Sequence, residues 1–203
     1  MKSSDKRLMQ KAIDWNSSIA WDNFGTLTFR PGCKLREEEA QRICRYFWKE
    51  VSRAAYGQNP KYRVERLVFN HYGKDDDYLH FHYVAKSPIE PKRFCICTNA
   101  IWASIDTLAA PPSCHEILPI MNAWNAVNYS WHEFWRSGTD NLNIELSHIN
   151  GPRLDGTGPV LPHAEAEARL AAKMDPYWER KAEAEYPLQL ERAQKRNQKR
   201  HTK

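Results

Sequence analysis

The sequence predicts an α+β fold: a ferredoxin-like or RRM-like sandwich with a central antiparallel sheet, plus a C-terminal helical extension. Of the 203 residues, 41% are hydrophobic and 27% are charged, as is typical of a globular protein. Residues 21–148 alternate between segments with the two-residue period of strands and segments with a helical period. The order is strand, helix, strand, strand, helix, strand, which is the order of that fold.

The first predicted elements lie before the break at residues 57–60 (GQNP). Residues 1–20 are predicted to be a lead-in containing a short helix around residues 8–15. Residues 23–30 (NFGTLTFR) alternate and are rich in β-formers, so they predict a strand that ends at Pro31-Gly32. Residues 35–56 carry apolar side chains at helical spacing after an acidic start, which predicts an amphipathic helix.

The middle of the chain predicts a hairpin and a second helix. Residues 62–72 and 78–86 are predicted to be strands, antiparallel to each other through the polar turn 73–77. Residues 91–108 are predicted to form a helix. Residues 115–120 (HEILPI) predict a short fourth strand that completes the sheet.

The last elements lead into the extension. Residues 123–135 predict a third helix, and residues 140–146 an edge strand. The Gly/Pro-rich residues 149–162 predict a linker. Residues 163–203 are rich in Ala, Glu, Lys and Arg and predict helix, divided by the prolines at positions 176 and 187.

The positive charge is concentrated at the C-terminus. The formal net charge is +5, and residues 191–203 (ERAQKRNQKRHTK), with six Lys or Arg and one Glu, account for all of it. The preceding residues are formally neutral. The tail predicts non-specific attraction to phosphates, although a solvated terminus or a protein-docking helix would show the same composition.

The cysteines and the N-terminus predict a cytoplasmic location. The chain has five cysteines and no apolar run behind Met1 that would act as a signal peptide, so reduced thiols are expected. No segment has the roughly 20 apolar residues of a membrane span. Cys95-x-Cys97 and Cys114-His115 could be zinc ligands, but the Cys-x-Cys spacing is not that of common zinc ribbons and residues 95–97 lie where a helix is predicted to begin, which argues against structural zinc.

The segment Leu79-His80-Phe81-His82 is the most informative of the chain. In a strand, residues two apart point to the same face, so His80 and His82 project side by side while Phe81 points into the other layer. Two neutral imidazoles at that separation can share one divalent metal ion. The alternative is a pair of sheet-face histidines with no ligand.

Three segments resemble motifs of the HUH endonuclease superfamily, in particular the rolling-circle replication initiators of plasmids and small phages. In the family's order these are residues 25–29 (GTLTF), residues 79–82 (LHFH) and residues 128–133 (NYSWHE). The resemblance implies a Mg²⁺ or Mn²⁺ ion on His80 and His82, with Tyr129 as the nucleophile. It also implies a single-stranded or hairpin, origin-like DNA substrate, a 5′-phosphotyrosine intermediate and a helicase or host replication partner.

The chain departs from the family at two positions. His132 stands where the family usually has Lys, and it lies one helical turn after Tyr129 on the same face, where it could contact phosphate or move a proton. The third metal ligand falls near Asn70 or His71. Asn70 stands where a Glu is expected, but an imidazole is the stronger ligand, so His71 is preferred. The two point to opposite faces of a regular strand.

Other residues are candidates for contact with DNA. Trp124 and Trp131 flank Tyr129 in sequence and are candidates for stacking on unpaired bases, with core packing as the alternative. Arg30 and Lys34 follow the first strand and are candidates for phosphate contacts, with a solvated face as the alternative.

Two other functions fit the same residues. The first is an HUH-like protein that binds DNA but has weak or lost cleavage activity, as the His132 and Asn70 departures suggest. The second is an RNA-recognition-like domain, although its third strand would then carry exposed aromatic residues where this chain carries His80 and His82. No Gly-x-x-x-x-Gly-Lys-Ser/Thr motif is present, so unwinding of DNA would need a partner. The sequence does not determine the oligomeric state.

Overall fold

The structure is a computed structural model, and it describes residues 3–33, 35–58, 62–73, 79–134, 138–149 and 163–201. Its helices are α1 (Ser3–Ser18), α2 (Glu37–Tyr56), α3 (Pro91–Ile105), α4 (Ala123–Ser130), α5 (His163–Ala171) and α6 (Pro176–His201). Its strands are β1 (Asn23–Leu27), β2 (Arg66–His71), β3 (His80–Ala85) and β4 (Glu116–Pro119). Two short 3-10 helices span Pro112–Cys114 and Gly138–Asn141.

The four strands form one antiparallel sheet in the order β2-β3-β1-β4. This is the predicted ferredoxin-like arrangement, in which β3 lies between β1 and β2. The predicted strand over residues 62–72 begins only at Arg66, because Arg66 pairs with Ala85, the last residue of β3. Before Arg66 the chain is joined by single hydrogen bonds, in which the N–H of Lys86 donates to the backbone oxygen of Glu65 and the N–H of Val64 donates to the hydroxyl of Ser52.

The first face of the sheet packs on α2 and α3 and forms the main core. Fully buried aromatic side chains from both layers meet there, namely Phe47, Trp48, Phe81, Tyr83 and Trp102. The ring of Tyr83 crosses over Gly25 on the neighbouring strand. A Cβ at position 25 would lie 2.3 Å from two ring carbons of Tyr83, so the close packing requires glycine.

The second face of the sheet is only partly covered. α1 and α4 pack over β2 and β3 and bury a smaller cluster around Ile13, Phe69, Val84 and Trp131. The predicted lead-in is thus a sixteen-residue helix with a structural role. The same face of β1 and β4 is left open beside α4, and this opening leads to the candidate site.

In the described residues, the free edge of β2 is covered by single bridges and not by a fifth strand. The predicted edge strand over residues 140–146 is wrong: the 3-10 turn ends at Asn141, and the chain then touches β2 through single bridges. Asn143 donates its backbone N–H to Val68, but its side-chain oxygen accepts from the N–H of Leu146 and turns the chain. That local hydrogen bond competes with a regular ladder.

The C-terminal helices α5 and α6 pack against the main core. Leu170 of α5 and Ala182 of α6 belong to the main core, and Arg93 of α3 pairs with Glu179 and Glu183 of α6. Pro187 was predicted to divide the helix, but it lies inside α6. The helix continues because it is packed on both sides of this residue.

The packing of α6 also closes the outer edge of the sheet. Gln189 is buried, its side-chain oxygen accepts from the N–H of Ile117, and its side-chain nitrogen donates to Pro112. The outer edge of β4 is thereby paired. The predicted linker lies outside the described residues from position 150 onward. None of the helices in the described ranges has the length and apolar character needed to cross a membrane.

Candidate metal centre beside an exposed tyrosine

The register of β2 and β3 brings three histidines together on the second face. His71 pairs with His80, and His82 follows two residues later on the same face. The ring centroids are 5.4 Å apart for His71 and His80, 4.1 Å for His71 and His82, and 5.0 Å for His80 and His82. One nitrogen from each of the three lies within 4.8 Å of the others, which is close enough to hold one metal ion.

Hydrogen bonds fix which nitrogens face the cluster. Nε2 of His71 donates to the backbone oxygen of Ser130 at 2.8 Å, since a carbonyl can only accept, and this leaves Nδ1 with its lone pair. Nδ1 of His82 is 2.9 Å from the hydroxyl of Thr26. This is the arrangement in which a partner on the far ring nitrogen orients a metal-binding imidazole.

Two of the ring nitrogens are buried without a hydrogen-bond partner. Nδ1 of His71 and Nε2 of His82 are both inaccessible to solvent, and no residue in the described ranges hydrogen-bonds to either. Burial lowers the pKa of His71 to about 3 and places the pKa of His82 well below its usual value, so both rings are neutral at physiological pH. A neutral imidazole is the form of histidine that binds a divalent cation.

Asn70, the other candidate for the third ligand, is on the wrong face. It pairs with Phe81, whose side chain lies in the main core, and its own side-chain oxygen accepts from Asn143 at 3.1 Å. His71, one residue later, points to the histidine cluster. The structure therefore removes Asn70 from the candidate ligands.

Tyr129 and His132 lie next to the cluster. Tyr129 is 42% exposed, and its ring centroid is 5.1 Å from that of His82 and 6.0 Å from that of Phe24. The ring of His132 is 4.7 Å from that of Tyr129 and 4.5 Å from that of His71. Nδ1 of His132 donates to the backbone oxygen of Tyr129, which leaves Nε2 on the side of the cluster.

Glu133 is a site residue that sequence reasoning did not assign. It is only 6% exposed, and its Oε1 lies 3.8 Å from Nδ1 of His71 and 3.9 Å from Nε2 of His132. These three residues form a second group that can hold a metal ion. The sequence signal that could have identified it is an acidic residue between Trp131 and Phe134. Burying a carboxylate among aromatic residues costs free energy unless the carboxylate binds a polar or charged partner.

The remaining candidates for DNA contact are spread over the molecule. Trp124 is 50% exposed at the start of α4, whereas Trp131 is 5% exposed and packs on Phe69. Trp131 as a base-stacking residue is therefore wrong, because α1 and α4 enclose it. Arg30 is exposed but does not line the groove described below, and its Nε donates to the backbone of Ala109. Lys34 lies outside the described residues.

A groove of about 480 Å³ runs from the cluster across the open face of β1 and β4 to α6. His80, His82 and Tyr129 line one end of it. Phe24 and side chains of β1 and β4 form its floor. Arg192 and Arg196 line the other end, so the basic C-terminal part of α6 is one wall of the groove.

The two arginines of that wall pair with partly buried carboxylates. Arg196 pairs with Glu116 of β4, and Arg192 pairs with Glu185 of its own helix at 2.5 Å. Because both carboxylates are partly buried, an anionic ligand at this wall would have to compete with both ion pairs.

The cysteines lie outside the metal cluster, although Cys114 lines the groove. Cys95 and Cys97 lie inside α3, where burial raises the pKa of Cys97 to about 12, and Cys95 accepts a hydrogen bond from Asn23. The groups of described residues that can hold a metal contain no cysteine. The five thiols form no disulfide.

Comparison of the chain with known proteins finds no matching family, no matching curated protein and no matching solved structure.

Proposed function

We propose that this protein is a metal-dependent endonuclease that nicks and rejoins single-stranded DNA through Tyr129. The observation that carries the proposal is the pair of buried nitrogens, Nδ1 of His71 and Nε2 of His82, beside a solvent-exposed tyrosine. A buried polar atom without a hydrogen bond costs about 1 to 3 kcal/mol, so a purely structural role for both rings would be expensive. A shared divalent cation removes this cost.

The ligands of the site favour Mn²⁺ over Mg²⁺, either as the natural ion or as the ion that best supports cleavage. Imidazole is a poor ligand for Mg²⁺, which prefers oxygen atoms and retains water. Three imidazoles from His71, His80 and His82 can instead hold a first-row transition metal.

The residues around the cluster supply the chemistry of strand cleavage. When bound, the divalent ion polarises a non-bridging oxygen of the scissile phosphate. Oη of Tyr129 attacks the phosphorus atom, the new O–P bond forms, and the bond from phosphorus to the 3′-oxygen breaks. His132, beside the Tyr129 ring, takes the phenol proton and returns it to the leaving 3′-oxygen. The products are a 5′-phosphotyrosine and a 3′-hydroxyl, and the reverse reaction rejoins the strand.

The groove supports an unpaired strand as the substrate. Its volume is that of a small-ligand pocket, which takes part of one strand but not a duplex. Phe24 on its floor offers an aromatic ring for a base, while Arg192 and Arg196 offer charge for the phosphates. A strand lying from α6 towards Tyr129 would bring a phosphate to the histidines.

The test is formation of a covalent adduct. The protein is incubated with Mn²⁺ and labelled single-stranded or hairpin oligonucleotides, and the products are separated on a denaturing gel. We expect a protein–DNA band with the wild type and with the control Tyr46→Phe, which alters an exposed tyrosine on α2. The band should vanish with Tyr129→Phe. A Tyr129→Phe variant that forms the adduct at the wild-type level would refute the assignment.

The alternative function is binding of DNA without efficient cleavage, and the observation that favours it is His132. It stands where the resembling family has a lysine, whose ammonium is a compact cation with three donors for phosphate. This alternative expects binding of oligonucleotides in chelator and no adduct with any divalent ion. An RNA-recognition-like protein would in addition show no stabilisation by Mn²⁺.

A further inference from the structure

The turn that follows α4 reaches back to the metal centre. Trp131 and Phe134 are buried in the smaller core, which holds the turn against the sheet. Glu133, between them, points to the end of β2, where its Oε2 accepts the backbone N–H of Tyr72 at 2.8 Å. That hydrogen bond orients the carboxylate so that Oε1 lies near Nδ1 of His71.

The potential ligands form two groups, His71 with His80 and His82 and His71 with His132 and Glu133, so His71 is the residue through which the two elements would share one ion. Ligand atoms lie about 2.0 to 2.2 Å from a tetrahedral or similar divalent ion, so two ligands of one ion are roughly 3 to 4.3 Å apart. The separation of 3.8 Å between Oε1 of Glu133 and Nδ1 of His71 falls inside this interval. His71 also belongs to the group with His80 and His82, and its single lone pair on Nδ1 serves one ion at a time.

The cation would also stabilise the carboxylate. Glu133 is 6% exposed, and its Oε1 lies beside Nδ1 of His71 and Nε2 of His132. A divalent ion bound by His71 would bring positive charge directly to Oε1. The sheet and the turn thus each offer buried ligands, and their burial favours the state in which the ion is bound.

We propose that Glu133 coordinates the same ion as the sheet histidines, so that the ion ties the turn after α4, and with it the end of α4 that carries Tyr129, to β2. This inference rests on the proposed metal site and goes beyond it, because it makes metal binding regulate the position of the nucleophile. Without the ion, the turn is held to β2 by the hydrogen bonds of His71 with Ser130 and of Glu133 with Tyr72. With the ion, Tyr129 is fixed at the end of the groove before DNA arrives.

The first experiment measures binding of Mn²⁺ to the full chain without DNA, from the loss of the free-ion EPR signal. Glu133→Gln keeps a side-chain oxygen for Tyr72 but loses the charge, so we expect an affinity about tenfold or more below wild type. Glu145→Gln is the matched control: its carboxylate pairs with Arg45 at an exposed site, and its removal should leave the affinity unchanged. Glu133→Gln binding within about twofold of wild type would overturn the inference.

The second experiment uses the unaltered protein, so it does not depend on how a variant folds. Hydrogen exchange of the peptide covering residues 129–134 is followed by mass spectrometry with and without Mn²⁺. We expect Mn²⁺ to slow exchange in this peptide. An unchanged exchange rate at saturating Mn²⁺ would overturn the link between ion and turn.

A further variant separates this inference from the proposed function. If His82→Ala loses Mn²⁺ binding while Glu133→Gln keeps it, the histidine metal site is supported and coordination by Glu133 is refuted. If His82→Ala also binds like wild type, the metal centre itself is refuted and the inference falls with it. DNA cleavage takes no part in these measurements, so a failure of the nuclease proposal would be seen separately.

Discussion

Acid should destabilise this protein in chelator, because three buried histidines are held neutral. Burial lowers the pKa of His71 to about 3 and that of His115 to about 4, and it places the pKa of His82 well below its usual value. In the unfolded chain each imidazole has a pKa of about 6.5. Between these values the unfolded state binds protons that the folded state does not, so stability rises with pH and is lost as the pH falls below about 6.5.

The size of the loss follows from the unfolded pKa. At about pH 5.5 each imidazole that stays neutral when folded costs about 1.4 kcal/mol of unfolding free energy relative to about pH 7.5. Three such residues cost about 4 kcal/mol, a large part of the 5 to 15 kcal/mol of a typical domain. Ordinary carboxylates, with pKa values near 4, contribute little over this interval.

Urea unfolding in chelator at the two pH values measures the loss. His115→Gln is the control, because Gln can keep the hydrogen bonds to Thr28 and Ala110 without titrating. We expect the pH-dependent loss in this variant to shrink by about 1.4 kcal/mol. A wild type that loses less than about 1 kcal/mol, or a His115→Gln variant with the same loss as wild type, would refute the assignment of buried neutral rings.

Three further changes test other parts of the structure. Thr26→Val removes the oxygen beside Nδ1 of His82, so Mn²⁺ affinity measured by calorimetry should fall about 10- to 100-fold; an unchanged affinity would contradict this. Gly25→Ala places a Cβ against the Tyr83 ring and should lower the unfolding free energy by about 1 to 3 kcal/mol in urea, whereas a neutral effect would disprove the close packing. Leu170→Ala should cost about 2 to 5 kcal/mol in the same assay if α5 is part of the core, and an effect below about 0.5 kcal/mol would show that it is not.

The sheet was predictable because its pattern is local. Alternation in the segment from Leu79 to Tyr83 shows that His80 and His82 share a face, and the order of elements gives the ferredoxin-like topology. The choice between Asn70 and His71 was harder. A shift of one residue in register exchanges the faces, and the register is set by long-range pairing with β3.

The other errors concern contacts between distant elements. Trp131 was open to two interpretations because its burial depends on α1, which the sequence predicted to be shorter than it is. Glu133 could not be assigned because helical spacing continues past Ser130 in the sequence, whereas α4 ends there and a tighter turn redirects the next residues. The Arg196 end of the groove depends on how α6 packs against β4, which no local pattern reveals.

Anomalous diffraction from a crystal grown with Mn²⁺ tests the central claim most directly. We predict one anomalous peak about 2.0 to 2.3 Å from Nδ1 of His71 and Nε2 of His82, with His80 completing the group and Tyr129 at its side. A map with no peak among these three rings at saturating Mn²⁺ would contradict the account, as would a peak bound only by surface carboxylates.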